Sequence, residues 1–208
     1  MILGLDISTS CIGYSLFSEE GKLIELNCVK FNSDLTKFEK LEEFKKATAY
    51  LKSFPIKFIA IEEPLKKFMG KFSSAETIAL LNFFNGMISA HVYSEFGIEP
   101  IYFNVNTARK LAFPPVVKDK KSVKKEEDEE IDNSLEVLDE SEKKGKGKDD
   151  KVSIKHIIWT KVMEMEPLIN WRYGPRSRKL LDENFDMADA YVISLAMLIT
   201  LEKQKIAN

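Results

Sequence analysis

The stretch Met1-Ile-Leu-Gly-Leu-Asp-Ile-Ser-Thr-Ser-Cys-Ile-Gly-Tyr-Ser-Leu-Phe17 decides how this chain folds. Its apolar opening ends in Asp6, a Ser/Thr/Gly-rich turn runs from Ser8 to Gly13, and Tyr14 to Phe17 forms a second apolar run. Short runs of this composition are buried strands, so the stretch reads as a hairpin. Glu19-Glu-Gly-Lys22 is a further turn signal, and Leu23 to Phe31 supplies a third antiparallel strand. The same design recurs downstream, where Ile56-Lys-Phe-Ile-Ala-Ile61 runs into Glu62. Near the C-terminus, Asp186-Met-Ala-Asp189 opens the apolar stretch Ala190 to Leu201. That places both carboxylates on one face of the first turn of a buried helix, where the helix dipole favours them. One acid at a strand end is usually structural or solvated, but Asp6, Glu62, Asp186 and Asp189 together point to a metal site assembled by folding.

Ile2-Leu-Gly-Leu-Asp-Ile-Ser-Thr-Ser-Cys-Ile-Gly-Tyr14, Ile59-Ala-Ile-Glu-Glu63 and Asp186-Met-Ala-Asp-Ala190 resemble, in order and spacing, the RuvC-type Holliday-junction resolvases of the RNase H-like superfamily. The resemblance covers most of residues 1 to 112 and resumes at about Lys151; Ile7 and Ser8 stand where the family carries Pro and Gly. It implies an α/β, RNase H-like mixed sheet with helices on both faces. It also implies that Asp6, Glu62, Asp186 and Asp189 hold two Mg²⁺ or Mn²⁺ ions. Successive strand side chains alternate faces, so only one of Glu62 and Glu63 can serve, and the motif favours Glu62. Lys110 matches a family lysine near the DNA; Lys151 matches one near the active site, with Lys155 a near alternative. The implied activity is resolution of four-way DNA junctions by a homodimeric crossover junction endodeoxyribonuclease, leaving 5′-phosphate and 3′-hydroxyl ends. A broader branched-DNA debranching nuclease of the same fold is the alternative.

Composition fits one catalytic domain: 208 residues with 44% hydrophobic content suffice for one core. The formal net charge of −2 argues against a nucleic-acid partner until the acids are located. Glu126 to Glu142 holds ten acids and no Lys or Arg, which leaves 31 basic against 23 acidic residues elsewhere, a net of +8. The body of the chain is therefore basic enough to meet phosphates. Residues 117–150 form a basic, then acidic, then basic block without aromatics, the composition of a disordered insert. Cys11 and Cys28 read as buried free thiols of a reducing compartment. With no basic leader and no apolar run of membrane-spanning length, a cytoplasmic location is expected.

Leu35, Phe38, Leu41, Phe44, Ala47 and Leu51 recur at helical spacing before Pro55, predicting an amphipathic helix over the sheet. Ser74 to Phe96 predicts a long helix, apolar over more than one face and buried on several sides, with Gly86 permitting close helix approach. Ile98 to Val105 predicts a strand, Asn106 to Leu111 a short helix capped by Asn or Thr, and Lys151 to Met165 another helix. Two basic segments carry aromatics. In Pro64 to Phe72, Lys66, Lys67 and Lys71 suit phosphate contact while Phe68 either wedges against a base or packs. In Asn170 to Lys179, Arg172, Arg176, Arg178 and Lys179 accompany Trp171 and Tyr173, a pattern for phosphate contact with base stacking. His91 has no second histidine at ligand spacing and reads as an ordinary helix residue, and His156 reads as a surface helix residue, with proton transfer the alternative.

One competing reading takes Asp6-Ile-Ser-Thr9 as the phosphate loop of an actin-like or sugar-kinase ATPase. Such enzymes use further glycine-rich loops, whereas this chain has 9 glycines and its one Gly-x-Gly lies at Gly145 to Gly147 in the charged block. Another takes the chain as a catalytically silent DNA-binding module, which the presence of all four acids disfavours.

Overall fold

The computed structural model describes residues 1–64, 75–114, 153–176 and 178–207. The charged block at 117–150 and the residues Lys66, Lys67, Phe68, Lys71 and Lys151 lie outside them. Five strands, β1 (Ile2–Ile7), β2 (Cys11–Phe17), β3 (Leu23–Lys30), β4 (Phe58–Glu62) and β5 (Ile101–Phe103), form one sheet in the order β3-β2-β1-β4-β5. The first three are antiparallel, as the hairpin reading requires, and β4 and β5 are added parallel to β1. The helices are α1 (Lys37–Thr48), α2 (Ala75–Phe96), α3 (Val105–Ala112), α4 (Ile154–Met165) and α5 (Glu183–Ala207). This is the expected α/β mixed sheet covered on both faces.

Strand alternation sorts the core into two layers. Leu3, Leu5, Ile12, Leu16, Ile59 and Ile61 pack with Phe44 of α1 and with Phe84, Ile88 and Val92 of α2. Ile2, Cys11, Phe17, Cys28 and Ala60 pack with α4 and α5 on the opposite face. The two cysteines are free and buried.

Small residues let α5 approach the sheet. A Cβ at Gly13 would stand 2.1 Å from the Asp186 carbonyl oxygen, and one at Gly4 would stand 2.2 Å from Ser194 Oγ. Between them Ser15 Oγ donates to the Ala190 carbonyl at 2.8 Å and shares a hydrogen bond with Ser194 Oγ at 2.7 Å, all in the interior. By length and composition this helix could cross a membrane, with a mean hydropathy of 1.3, contrary to the expectation that no run is long enough. Here 67% of that window is buried against the sheet and α4.

The local caps explain the helix boundaries. Thr36 forms a reciprocal capping box with Glu39, which starts α1 three residues after Asp34. Asn104, rather than Asn106 or Thr107, caps α3 by accepting from both of their backbone N–H groups.

The predicted burial of α2 on several sides is corrected. Phe84, Asn85, Ile88, Ser89 and Val92 are buried, but Leu80, Phe83 and Tyr93 are exposed. Phe38, expected on the inner face of α1, is 66% exposed and packs edge-on against Phe83. Gly86 has nothing within 4 Å of an added Cβ, so it serves no close approach within this chain. The physical reason is that α2 has one sheet face to cover and no layer above it among the described residues.

Candidate metal centre

The strand pleat that sorts the core also orients the acids. On β1, Leu3 and Leu5 face α1 and α2, so Asp6 faces α5; on β4, Ile59 and Ile61 do the same and Glu62 faces α5. The parallel register that pairs Leu5 with Ile61 sets Asp6 beside Glu62 at the C-terminal ends of two neighbouring interior strands. Glu63 follows the end of β4, its backbone N–H donating to the Phe103 carbonyl at 2.8 Å. From α5, Asp189 reaches the same point. One carboxylate oxygen from each of Asp6, Glu62 and Asp189 lies within 4.8 Å of the others, and Asp189 is buried.

Asp186 stands one helical turn earlier and is not part of this trio. It lies beside the Cys11 thiol, and it is near enough for its charge to act on Asp6. The structure thus brings three of the four predicted acids within ligand range of one another and holds the fourth at the margin.

Crowding of buried carboxylates raises their proton affinity. Asp6 is pushed well above the usual carboxylate range, first by burial and then by the charges of Glu62, Asp189 and Asp186. Burial, followed by the charge of Asp189, raises Glu62 to about 7. Burial raises Asp186 to about 6, against the neighbouring Cys11 thiol and the Lys155 charge, which both lower it. The oxygen-only donor set of these acids suits a hard divalent cation such as Mg²⁺ or Mn²⁺.

Two cations of the chain attend the acids. Lys155, in the first turn of α4, lies close enough to lower both Glu62 and Asp186. Arg109 of α3 is buried and grips Asp189: Nε and Nη2 donate to Oδ1 at 3.2 and 2.7 Å, and Nη2 donates to Oδ2 at 2.9 Å. Its neighbour Lys110, the lysine expected near DNA, is exposed. The signal for Arg109 was present, because Val105, Ala108, Arg109 and Ala112 share one face of a 3.6-residue helix while Lys110 turns away.

The basic segment 170–179 is a hairpin with a Tyr173–Leu180 bridge. Arg176, Arg178 and Lys179 are exposed, as is Tyr173 at 48%. Trp171 is not available for stacking: it is buried edge-to-face against Trp159. Arg172 is turned inward, its Nη2 donating to Asn27 Oδ1 at 2.8 Å and to the Cys28 carbonyl at 3.1 Å. A residue the sequence reading passed over, the fully buried Asn184, clasps the hairpin to α5. Its Oδ1 accepts from the Arg172 N–H at 2.8 Å, and its Nδ2 donates to the carbonyls of Arg172 at 2.6 Å and Leu181 at 2.9 Å.

Comparison with solved structures places this architecture. Thermus thermophilus RuvC in complex with a Holliday junction substrate superposes with a TM-score of 0.57 at 10% identity, over 97% of this chain and 94% of that one. The chain has the RuvC fold. A second structure of RuvC from the same organism gives 0.56 at 14% identity, over 98% of this chain and 96% of that one. The yeast mitochondrial Holliday junction resolvase Ydc2 gives 0.54 at 14%, over 99% of this chain and 80% of Ydc2. No protein-family model matches the sequence, and no curated protein matches it.

Proposed function

We propose that this protein is a divalent-metal-dependent endodeoxyribonuclease that resolves four-way DNA junctions. The observation that carries the reading is the trio of Asp6, Glu62 and Asp189 oxygens within 4.8 Å of one another, at one end of a sheet with the RuvC fold. Asp6, Glu62 and Asp189 would hold Mg²⁺ or Mn²⁺, two ions per site, with Asp186 completing the shell. Bound ions would neutralise the scissile phosphate, activate water and stabilise the leaving oxygen. The chain's own groups do the rest. Asp6, on which the charges of Glu62, Asp189 and Asp186 all act, would be a ligand of those ions. Lys155, or Lys151 two residues before the cap of α4, orients phosphate and attacking water. The products carry 5′-phosphate and 3′-hydroxyl ends.

Arg176, Arg178 and Lys179, with Lys110 and the segment of Lys66, Lys67, Phe68 and Lys71, supply phosphate contacts and a base wedge. Arg172 acts at the base of its hairpin and holds those charges in place. The exposed Phe38, Leu80, Phe83 and Tyr93 form the face through which two copies associate, since symmetric cutting of a junction needs two sites. A cytoplasmic location goes with this reading.

The test is cleavage of end-labelled four-way, three-way and linear DNA in Mg²⁺ by wild type and Asp6→Asn. Selective cutting of four-way junctions, lost in Asp6→Asn, is the expected result. Equal cutting of three-way and four-way DNA would instead indicate a general debranching nuclease, and equal cutting of linear duplex would refute junction selectivity.

A further inference from the structure

We propose that Arg109 is the resident counter-cation of the carboxylate trio and competes with the divalent ion for Asp189. The inference rests on the metal reading above and adds a regulatory property to the same site.

Arg109 and Asp189 are 7% and 5% exposed, and the guanidinium engages both oxygens of the carboxylate. The same carboxylate supplies the third ligand oxygen of the trio. A buried carboxylate that has lost its partner is strongly unfavourable, so among three clustered acids the metal-free fold needs an internal cation. Arginine is suited to that task because it stays charged and its fork matches a carboxylate. A divalent ion entering among Asp6, Glu62 and Asp189 meets this positive charge directly, and like charges repel strongly in a buried site. Ion binding and the Arg109–Asp189 pair therefore oppose each other, and linkage makes the opposition reciprocal. A purely structural ion pair would leave metal affinity unaffected. A purely orienting one would strengthen it.

The experiment compares full-length wild type, Arg109→Gln and Arg109→Lys by Mn²⁺ titration calorimetry and by thermal unfolding with and without Mn²⁺. Arg109→Gln should bind Mn²⁺ more tightly, by roughly tenfold. It should melt lower than wild type without metal, and the two should converge at saturating Mn²⁺. Arg109→Lys, which keeps the charge and loses the fork, should fall between them in both measurements. If Arg109→Gln folds only when Mn²⁺ is present, that rescue is the predicted behaviour in its strongest form, and the affinity comparison is read on Arg109→Lys. Equal or weaker Mn²⁺ binding by the variants, or a melting gap that persists at saturation, overturns the proposal. Failure of the metal reading looks different: neither wild type nor any Arg109 variant would bind Mn²⁺.

Discussion

On one face of the sheet α5 lies so close that Gly4, Gly13 and Ser15 are the residues beneath it, whereas on the other α1 and α2 rest on Leu3, Leu5, Ile12, Ile59 and Ile61. The close face carries all the chemistry. Asp6 and Glu62 extend only as far as a carboxylate reaches, so Asp189 can join them only if its helix backbone nearly touches the strands. The bulky face has no such requirement, and its outer helix presents Leu80, Phe83 and Tyr93 to solvent. Small residues on one side and large ones on the other are thus the packing counterpart of a division between site and surface.

The sharpest break of this contrast is a single methyl group placed on each side. Gly13→Ala drives a Cβ into the Asp186 backbone and should cost about 3 kcal/mol in urea unfolding, with loss of metal-induced stabilisation. Gly86→Ala meets open space on α2 and should stabilise the monomer by about 0.5–1 kcal/mol. Similar costs at both positions would dissolve the distinction.

Asn184→Ala probes the close face where the hairpin joins it. The substitution strips three hydrogen bonds from part-buried backbone groups and should destabilise by about 2 kcal/mol. The charges of Arg176 and Arg178 remain, so DNA affinity measured by anisotropy should keep its salt slope while cleavage of bound junctions slows. A lost salt slope would mean that the clasp is needed for phosphate contact itself.

Acid–base behaviour should also divide the two faces. Asp6, Glu62 and Asp186 take up protons more readily in the folded chain than in the unfolded one. Below the unfolded carboxylate range both states are protonated, and stability is unaffected. As pH rises toward about 7, the value reached by Glu62, the folded state binds more protons than the unfolded, so stability falls, by on the order of 2 kcal/mol. Saturating Mn²⁺ should remove most of that slope, because the ion takes the place of the protons. Chemical denaturation at pH 5 and pH 7.5 measures both effects, and a metal-free stability that rises over this interval would contradict the carboxylate crowding.

Much of the close face was legible in the sequence because its signals are local. An apolar run ending in Asp6 is a strand with an acid at its tip, and the same rule locates Glu62. Spacing also placed Asp186 and Asp189 on one helical turn. What spacing could not reveal was depth: one turn of helix separates the acid within ligand range from the acid beside Cys11. Partners from distant elements were likewise hidden, since the Arg109–Asp189 and Arg172–Asn27 contacts exist only after the sheet has closed. Aromatic residues were the least readable. Trp171 and Phe38 sit in equally plausible patterns, yet one is buried and the other exposed, because burial depends on whether a second layer is there to receive the ring.

The most direct test of the central claim is the anomalous scattering of Mn²⁺ in crystals grown with the ion. The account predicts density bonded to carboxylate oxygens of Asp6, Glu62 and Asp189, with Asp186 drawn toward it. Manganese bound elsewhere, with the trio left metal-free and Arg109 still gripping Asp189, would contradict it.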